Sequence, residues 1–261
     1  MAPMVNAARI AVGILLLSAG VVSAQPADSA ILRGDSPQTR KRLAEAERKI
    51  ADGKAAEAAE DLQRLLDEAG DDLVVVEGRQ HRAARAVAHQ ILAKLPSDAL
   101  KTYRARVDEP ARKLLDAAQR DRDPKPLWRL LDRYFTSRPA EEALLLLGDW
   151  LYERGEFHLA EEQWKRLLPD ADEAVRYPGS QTDAAALRAR IVLAKHARND
   201  PQAPEAFATF AKLHPDAKGS LAGKAGVYAE TLRERMSKPR VAIEATNREW
   251  PAFGNDPGRS A

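Results

Sequence analysis

The strongest constraint on this fold is a succession of amphipathic helical segments joined by very short links. One segment, Ala55–Ala69, brings Leu62 and Leu65 onto a single face at helical spacing. Glycine-containing turns flank it at residues 52–53 and 70–72. Nearly all the links are equally short, so neighbouring helices are expected to run antiparallel. The pattern predicts an all-α fold, an array of antiparallel helical hairpins.

Composition excludes several other classes of protein. The chain has 14 Gly, 5 Phe, 5 Tyr and 4 Trp, which is too few for a fold of many short strands and tight turns. It has no Cys, which excludes disulfide scaffolds, zinc ribbons and cysteine nucleophiles. Lys and Arg number 41 against 39 Asp and Glu, so no strong net field favours nucleic acid as a partner.

Residues 1–24 have the pattern of a secretory signal peptide. Arg9 is their one charged residue, and an apolar run from Ile10 to Val22 follows it. The run is shorter than the ~20 residues that span a bilayer, and it ends in small residues suited to cleavage after Ala24. The alternative is an uncleaved anchor. We expect an exported protein of the periplasm or cell envelope, with a flexible mature N-terminus at 25–35 and no stable membrane span after cleavage.

Two regions interrupt the regular helical pattern. Leu73–Val76 contains three consecutive valines and, with Arg79–His81, predicts a short β-hairpin. The alternative there is a β-branched start to the following helix. Further along, Pro110 predicts a break between two short helices, Asp98–Arg106 and Ala111–Arg120.

Residues 218–236 are predicted as the last helix. The stretch Gly219 to Ala225 superficially resembles a phosphate-binding loop, but only three residues separate its glycines, and Ala follows the Lys. We therefore expect the glycines to let this helix pack closely on a neighbour.

Residues 141–170 carry a repeat pattern of large and small residues. The residues that define it are Leu144, Leu147, Gly148, Gly155, Phe157, Ala160, Trp164 and Leu167. Their spacing resembles the tetratricopeptide repeat, in which small residues allow two helices to cross closely. One hairpin cannot bury its apolar face alone, so we expect a stack of degenerate repeats over residues 36–238. The alternative is an ordinary helical domain.

The C-terminal stretch differs from the helical array in composition. Its distinctive residues are Trp250, Phe253, Gly254, Asp256, Pro257 and Arg259. They resemble the lead-in to a PQQ-binding-like β-propeller of the quinoprotein-dehydrogenase-like repeat family. Upstream pieces, including Tyr134-Phe135 and His214-Pro215-Asp216, are similar to the helical N-terminal region of exported members.

This resemblance implies that residues 239–261 form a linker and the start of a propeller. The sequence given stops at Ala261, where a first blade is expected, so the resemblance implies a chain truncated before the propeller. No blade residue that contacts a quinone cofactor is present to carry over. We therefore expect no cofactor in this chain.

Chemical motifs are sparse. The five His are never four residues apart, and no pattern of metal ligands or of a nucleophile with its base is present, so we expect no catalytic or metal-binding residues. The favoured function is a non-enzymatic, exported scaffold that binds an unknown protein and accompanies a propeller. The alternatives are a fragment of a quinone-dependent oxidoreductase, and a cell-wall or polysaccharide-binding module that would use Trp128, Trp150 and Trp164.

Overall fold

The computed structural model describes residues 35–76, 80–170 and 175–237. These ranges are mostly helical, which confirms the predicted helical class. The helices are α1 Pro37–Ala51, α2 Ala55–Ala69, α3 Ala84–Ala93, α4 Ser97–Asp121, α5 Lys125–Tyr134, α6 Arg138–Glu153, α7 Phe157–Lys165, α8 Ala184–Ala197, α9 Ala203–Leu213 and α10 Tyr228–Ser237. The strands are β1 Leu73–Val76, β2 Gln80–Ala83, β3 Lys218–Leu221 and β4 Lys224–Val227.

The first helical hairpin shows how the sequence sets the ends of its helices. The hydroxyl of Ser36 accepts a hydrogen bond from the Thr39 amide, and Pro37 occupies the first helical position of α1. Gly53 adopts φ +79° between α1 and α2, a left-handed conformation that favours glycine. The apolar face of α2 is buried, including Leu62 and Leu65.

The predicted β-hairpin is confirmed, with its second strand at Gln80–Ala83. β1 and β2 pair antiparallel, and Leu73 lies opposite Ala83 while Val76 lies opposite Gln80. Consecutive valines favour a strand because a branched Cβ packs well on a pleated surface and loses side-chain freedom in a helix.

The predicted break at Pro110 is wrong. One helix, α4, runs from Ser97 to Asp121 with Pro110 inside it. A proline in a helix interior costs roughly 3 kcal/mol. The apolar stripe of α4 nevertheless continues across the proline, from Val107 through Ala111 to Leu115, and all three side chains are buried. Burial of this uninterrupted stripe favours one long helix over two short ones.

The prediction of a helix over residues 218–236 is also wrong, because its first ten residues form the β3–β4 hairpin. Ala222 and Gly223 adopt φ of +49° and +77°, as a type I′ turn requires. Gly219 lies opposite Gly226 in the hairpin, and a Cβ at Gly219 would overlap the Tyr228 hydroxyl. The glycines thus serve a turn and a close contact with Tyr228, at the start of the shorter helix α10.

Apolar side chains of the described residues form three cores. One joins α1 to α4 with β1, a second joins α4 to α8, and the third joins α8 to α10 with β3. Helix α8 contributes to two of them, with Leu187 and Ile191 on one side and Ala189 and Val192 on the other. This double burial explains why α8 is apolar around most of its circumference.

Candidate functional site

Two open grooves on the described surface are candidates for a binding site. The first, here called the hairpin groove, lies between α1, the β1–β2 hairpin and α3, and has a volume of about 790 Å³. The second, here called the α8 groove, lies between α7, α8 and α9, and has a volume of about 570 Å³. Both are large enough to receive several side chains of a ligand.

The hairpin groove has an apolar floor. Leu43 of α1, Val74 of β1 and Ile91 of α3 line it and are buried. Val76 and Val87 also line it but remain half-buried, so each leaves apolar surface in contact with water. A ligand that covers these two valines would therefore gain hydrophobic stabilisation.

Three cations line the hairpin groove, and they differ in their partners. Arg40 forms an ion pair with Asp35. The guanidinium of Arg82 donates to the neutral Oε1 of Gln90 at 3.2 Å and has no carboxylate partner among the described residues. Lys94, directly after α3, is exposed, and its side chain has neither a hydrogen bond nor an ion pair within the described ranges. Glu47 is the one carboxylate that lines the groove among those residues.

The outer edge of β1 opens into the same groove. The Ala84 amide donates to the Asp72 carbonyl oxygen, which fixes the ladder so that Val74 and Val76 bond to β2. Val75 therefore directs its amide and carbonyl away from β2. Its amide donates to the Asp35 carboxylate at 2.9 Å, while its carbonyl oxygen accepts no hydrogen bond from any described residue.

The α8 groove is more apolar than the hairpin groove at its rim. Leu168, Ile191 and Phe210 are buried along it, and Leu213 at the end of α9 is 59% exposed. Helices α7 and α9 both pack on α8, which supplies the floor between them.

The cations of the α8 groove are all bound to carboxylates. Lys165 lies 2.8 Å from Glu161, Lys195 lies 3.3 Å from Asp200, and Arg188 lies 2.6 Å from Asp170. Arg198, just outside the groove, pairs with both Glu161 and Asp200. Glu161 is the centre of this network, and only 1% of its surface is exposed.

The network sets the protonation of its two inner carboxylates. Burial by itself raises the pKa of Glu161, but the hydrogen bond from Lys165 and the charges of Lys195 and Arg198 hold that pKa below its usual value. The backbone amide of Gln202 and the Arg198 guanidinium lower the pKa of Asp200 to about 2. Both groups are therefore ionised at neutral pH, and the network serves to hold α7 and α8 together.

The eight residues of the predicted repeat lie outside both grooves. Leu144, Leu147, Gly148, Ala160, Trp164 and Leu167 are buried between α6 and α7 and their neighbours. Gly148 lies so close to the Trp164 indole that a Cβ there would overlap the ring.

Gly155 adopts φ +81° in the turn between α6 and α7, and Phe157 begins α7 against Tyr152, with ring centroids 5.1 Å apart. The predicted propeller lead-in, from Trp250 to Arg259, lies outside the described residues.

The tryptophans do not form an aromatic groove within the described ranges. Trp164 is buried in the core, Trp128 is 36% exposed on α5, and Trp150 lines a separate cleft of about 140 Å³ beside Pro124. In the part of the chain that the structure describes, no three or more His, Asp or Glu side chains are grouped so that they could hold a metal ion.

Sequence reasoning did not identify the lining of the hairpin groove. Arg82 lies directly after a predicted strand and Lys94 at a predicted helix end, without any sign that their side chains meet in one groove. One signal is present in the sequence: Gln90 of α3 and Lys94, directly after it, are four residues apart, a spacing that brings side chains to the same side of a helix.

Comparison of the chain with protein-family profiles, with curated proteins and with solved structures gave no match in any of the three. No helix of the described residues is both long enough and apolar enough to cross a membrane. The described residues thus form a mostly helical fold with two small antiparallel sheets, and the grooves on its surface carry the evidence for a function.

Proposed function

We propose that this chain is an exported, non-enzymatic module that binds a protein partner in the hairpin groove and accompanies a PQQ-binding-like β-propeller. Its helical hairpins are of the tetratricopeptide type. Export rests on the signal-peptide pattern of residues 1–24, and the propeller rests on the motif at 250–259.

The hairpin groove is the observation that carries this proposal. It combines three features of a peptide-binding surface: half-buried apolar side chains, cations that lack carboxylate partners within the described ranges, and an open strand edge. The α8 groove supports the proposal less strongly, because its charges already serve to join α7 to α8.

Site-specific photocross-linking tests the proposal. A photoreactive amino acid replaces Ala44, an exposed residue of α1 that lines the hairpin groove, in cells that make the full chain. The matched control replaces Ala208, an exposed alanine of α9 that lines neither groove. We expect a discrete protein adduct from position 44 alone, identifiable by mass spectrometry.

Absence of any adduct from position 44, or the same adducts from both positions, would contradict binding in this groove. The export component has its own test. Sequencing the N-terminus of the protein recovered from the cell envelope should give Gln25 as the first residue, whereas an intact N-terminus in the cytoplasm would refute export.

A further inference from the structure

We propose that the occupant of the hairpin groove is an extended, acidic segment of the protein partner, which adds as a strand to the outer edge of β1. Its carboxylates pair with Arg82 and Lys94. This inference rests on the proposed function, since it specifies the chemistry of the partner that the groove binds.

The charge of the groove favours an anionic occupant. Of the cations that line it, Arg82 bonds to a neutral amide and Lys94 has no partner among the described residues, while Glu47 is the single lining carboxylate there. The lining therefore keeps a positive excess at the end formed by β2 and the C-terminus of α3. A carboxylate there replaces water around two cations, and the guanidinium of Arg82 can bind it through two N–H groups.

The edge of β1 favours an extended occupant. The outward carbonyl oxygen of Val75 lacks a donor within the described ranges, and the adjacent outward amide is held by the Asp35 side chain. At the start of the strand, the Ser36 amide donates to the Leu73 carbonyl oxygen at 2.9 Å, so residues 35–36 already pair with this edge in parallel. An incoming strand continues that pairing past Ser36 and donates an amide to Val75.

The apolar floor favours an occupant in which apolar and acidic residues alternate. Successive side chains of a strand point to opposite sides, so every second residue of the bound segment faces the same surface. Val76 and Val87 stay half-buried and receive apolar side chains of the segment, while the acidic residues face Arg82 and Lys94. The preferred ligand thus alternates apolar and acidic residues.

Fluorescence anisotropy with the full chain tests this inference. The probes are a labelled short peptide of alternating valine and glutamate interrupted by serine, its counterpart with lysine for glutamate, and a labelled single-stranded oligonucleotide. We expect the glutamate peptide to bind about tenfold more tightly than the lysine peptide at low salt, and its advantage to shrink as salt rises from about 0.05 to 0.5 M.

Matched variants distinguish binding by the two groove cations from attraction by the overall positive charge of the protein. Arg82→Gln with Lys94→Gln should abolish the preference for the glutamate peptide, because it removes both carboxylate partners. Arg129→Gln with Lys212→Gln removes the same charge from exposed positions on α5 and α9, and it should leave the preference unchanged. A glutamate peptide methylated at one backbone nitrogen after another should lose affinity at the position that donates to Val75.

Four results overturn the inference: equal or better binding of the lysine peptide, equal binding of the oligonucleotide, preference retained by the groove variant, or no peptide binding. Cross-linking from position 44 then tests whether the hairpin groove binds a protein partner at all. A protein adduct there would leave the proposed function standing with a different ligand chemistry, whereas its absence would remove both.

Discussion

The hairpin groove and the α8 groove each have three lining cations in the described part of the chain, yet they use them differently. In the α8 groove every one of these cations is bound to a carboxylate. In the hairpin groove, Arg40 alone among the described lining cations is bound to a carboxylate. A cation that neutralises a buried carboxylate is part of the fold, while a cation without such a partner remains available to a ligand. The difference between the grooves therefore lies in the carboxylates around them.

The largest effect is expected from the buried carboxylate of the α8 groove. Glu161→Gln leaves Lys165, Lys195 and Arg198 close together without their central anion. Removing one partner of a buried ion pair costs 3–5 kcal/mol, and the partial exposure of these cations places the loss at about 3 kcal/mol. Urea unfolding of the variant measures it.

Glu162→Gln is the matched control, since Glu162 is the next residue of α7 and its one ion pair within the described residues is with the exposed His158. Its effect should stay within about 0.5 kcal/mol. Equal losses for the two variants would show that the Glu161 network is not what joins α7 to α8.

Acidification is expected to destabilise α3, which forms one wall of the hairpin groove, before it affects the α8 groove. Burial, reinforced by the charges of Arg166 and Arg85, lowers the pKa of His89 on α3 to about 4. Nε2–H donates to the Asp132 carbonyl oxygen at 3.0 Å, which by itself favours the protonated ring, but burial outweighs it. The incoming proton would have to go to Nδ1, which is buried without a partner among the described residues.

The unfolded chain protonates His89 near its usual pKa of 6.5, whereas the folded chain does so only near 4. The contribution to stability is therefore complete above pH 6.5 and is lost as the pH falls from there towards 4. Between pH 7 and pH 5 this loss is about 2 kcal/mol.

His89→Gln keeps a donor for Asp132 and removes the titration. Urea unfolding at both pH values should show a loss about 2 kcal/mol smaller in the variant than in the natural chain. Equal losses would refute the assignment. In the α8 groove, Asp200 keeps its charge until the pH approaches 2, so its network should persist at pH 5.

The helical class and most element ends followed from local pattern, because periodicity and turn residues act within a few residues of each other. The two wrong predictions involve more distant contacts. Pro110 continues a helix because Val107 and Ala111 meet residues of other helices. The β3–β4 hairpin depends on Ala222 and Gly223, a turn signal that a count of helix-forming residues hides.

The candidate site could not be predicted in the same way. Lys94 and Lys195 look alike in the sequence, each in or directly after a helix with apolar neighbours. Their roles differ because α7 brings the buried Glu161 to Lys195, while within the described ranges nothing brings a carboxylate to Lys94. Which lysine meets a carboxylate is decided by how the helices cross, and helical periodicity does not specify that.

The packing of α7 on α6 offers a test with a smaller expected loss of stability. Gly148→Ala places a Cβ against the Trp164 indole and so displaces α7, which carries Glu161 into the α8 groove. Overpacking of this kind, offset by the better helix propensity of alanine, should cost about 1–2 kcal/mol in urea unfolding. The hairpin groove should keep its affinity for the glutamate peptide.

Trp164→Leu provides the check, because a smaller side chain leaves room for the added Cβ. In that background Gly148→Ala should cost less than in the natural chain, as expected for two residues in contact. Equal costs in the two backgrounds would place the strain elsewhere.

The smallest effect is the one that separates the two grooves most directly. Lys94→Gln should change the free energy of unfolding by less than about 0.5 kcal/mol, because the Lys94 side chain is exposed and bonds to nothing in the described structure. Lys195→Gln should cost more, about 1 kcal/mol, because the Lys195 side chain is only 15% exposed and contacts both Glu161 and Asp200. Urea unfolding of the two variants side by side measures the difference. A loss for Lys94→Gln as large as that for Lys195→Gln would mean that the fold uses the Lys94 cation too, and Arg82 would then be the one cation of the described hairpin-groove lining left to bind a ligand.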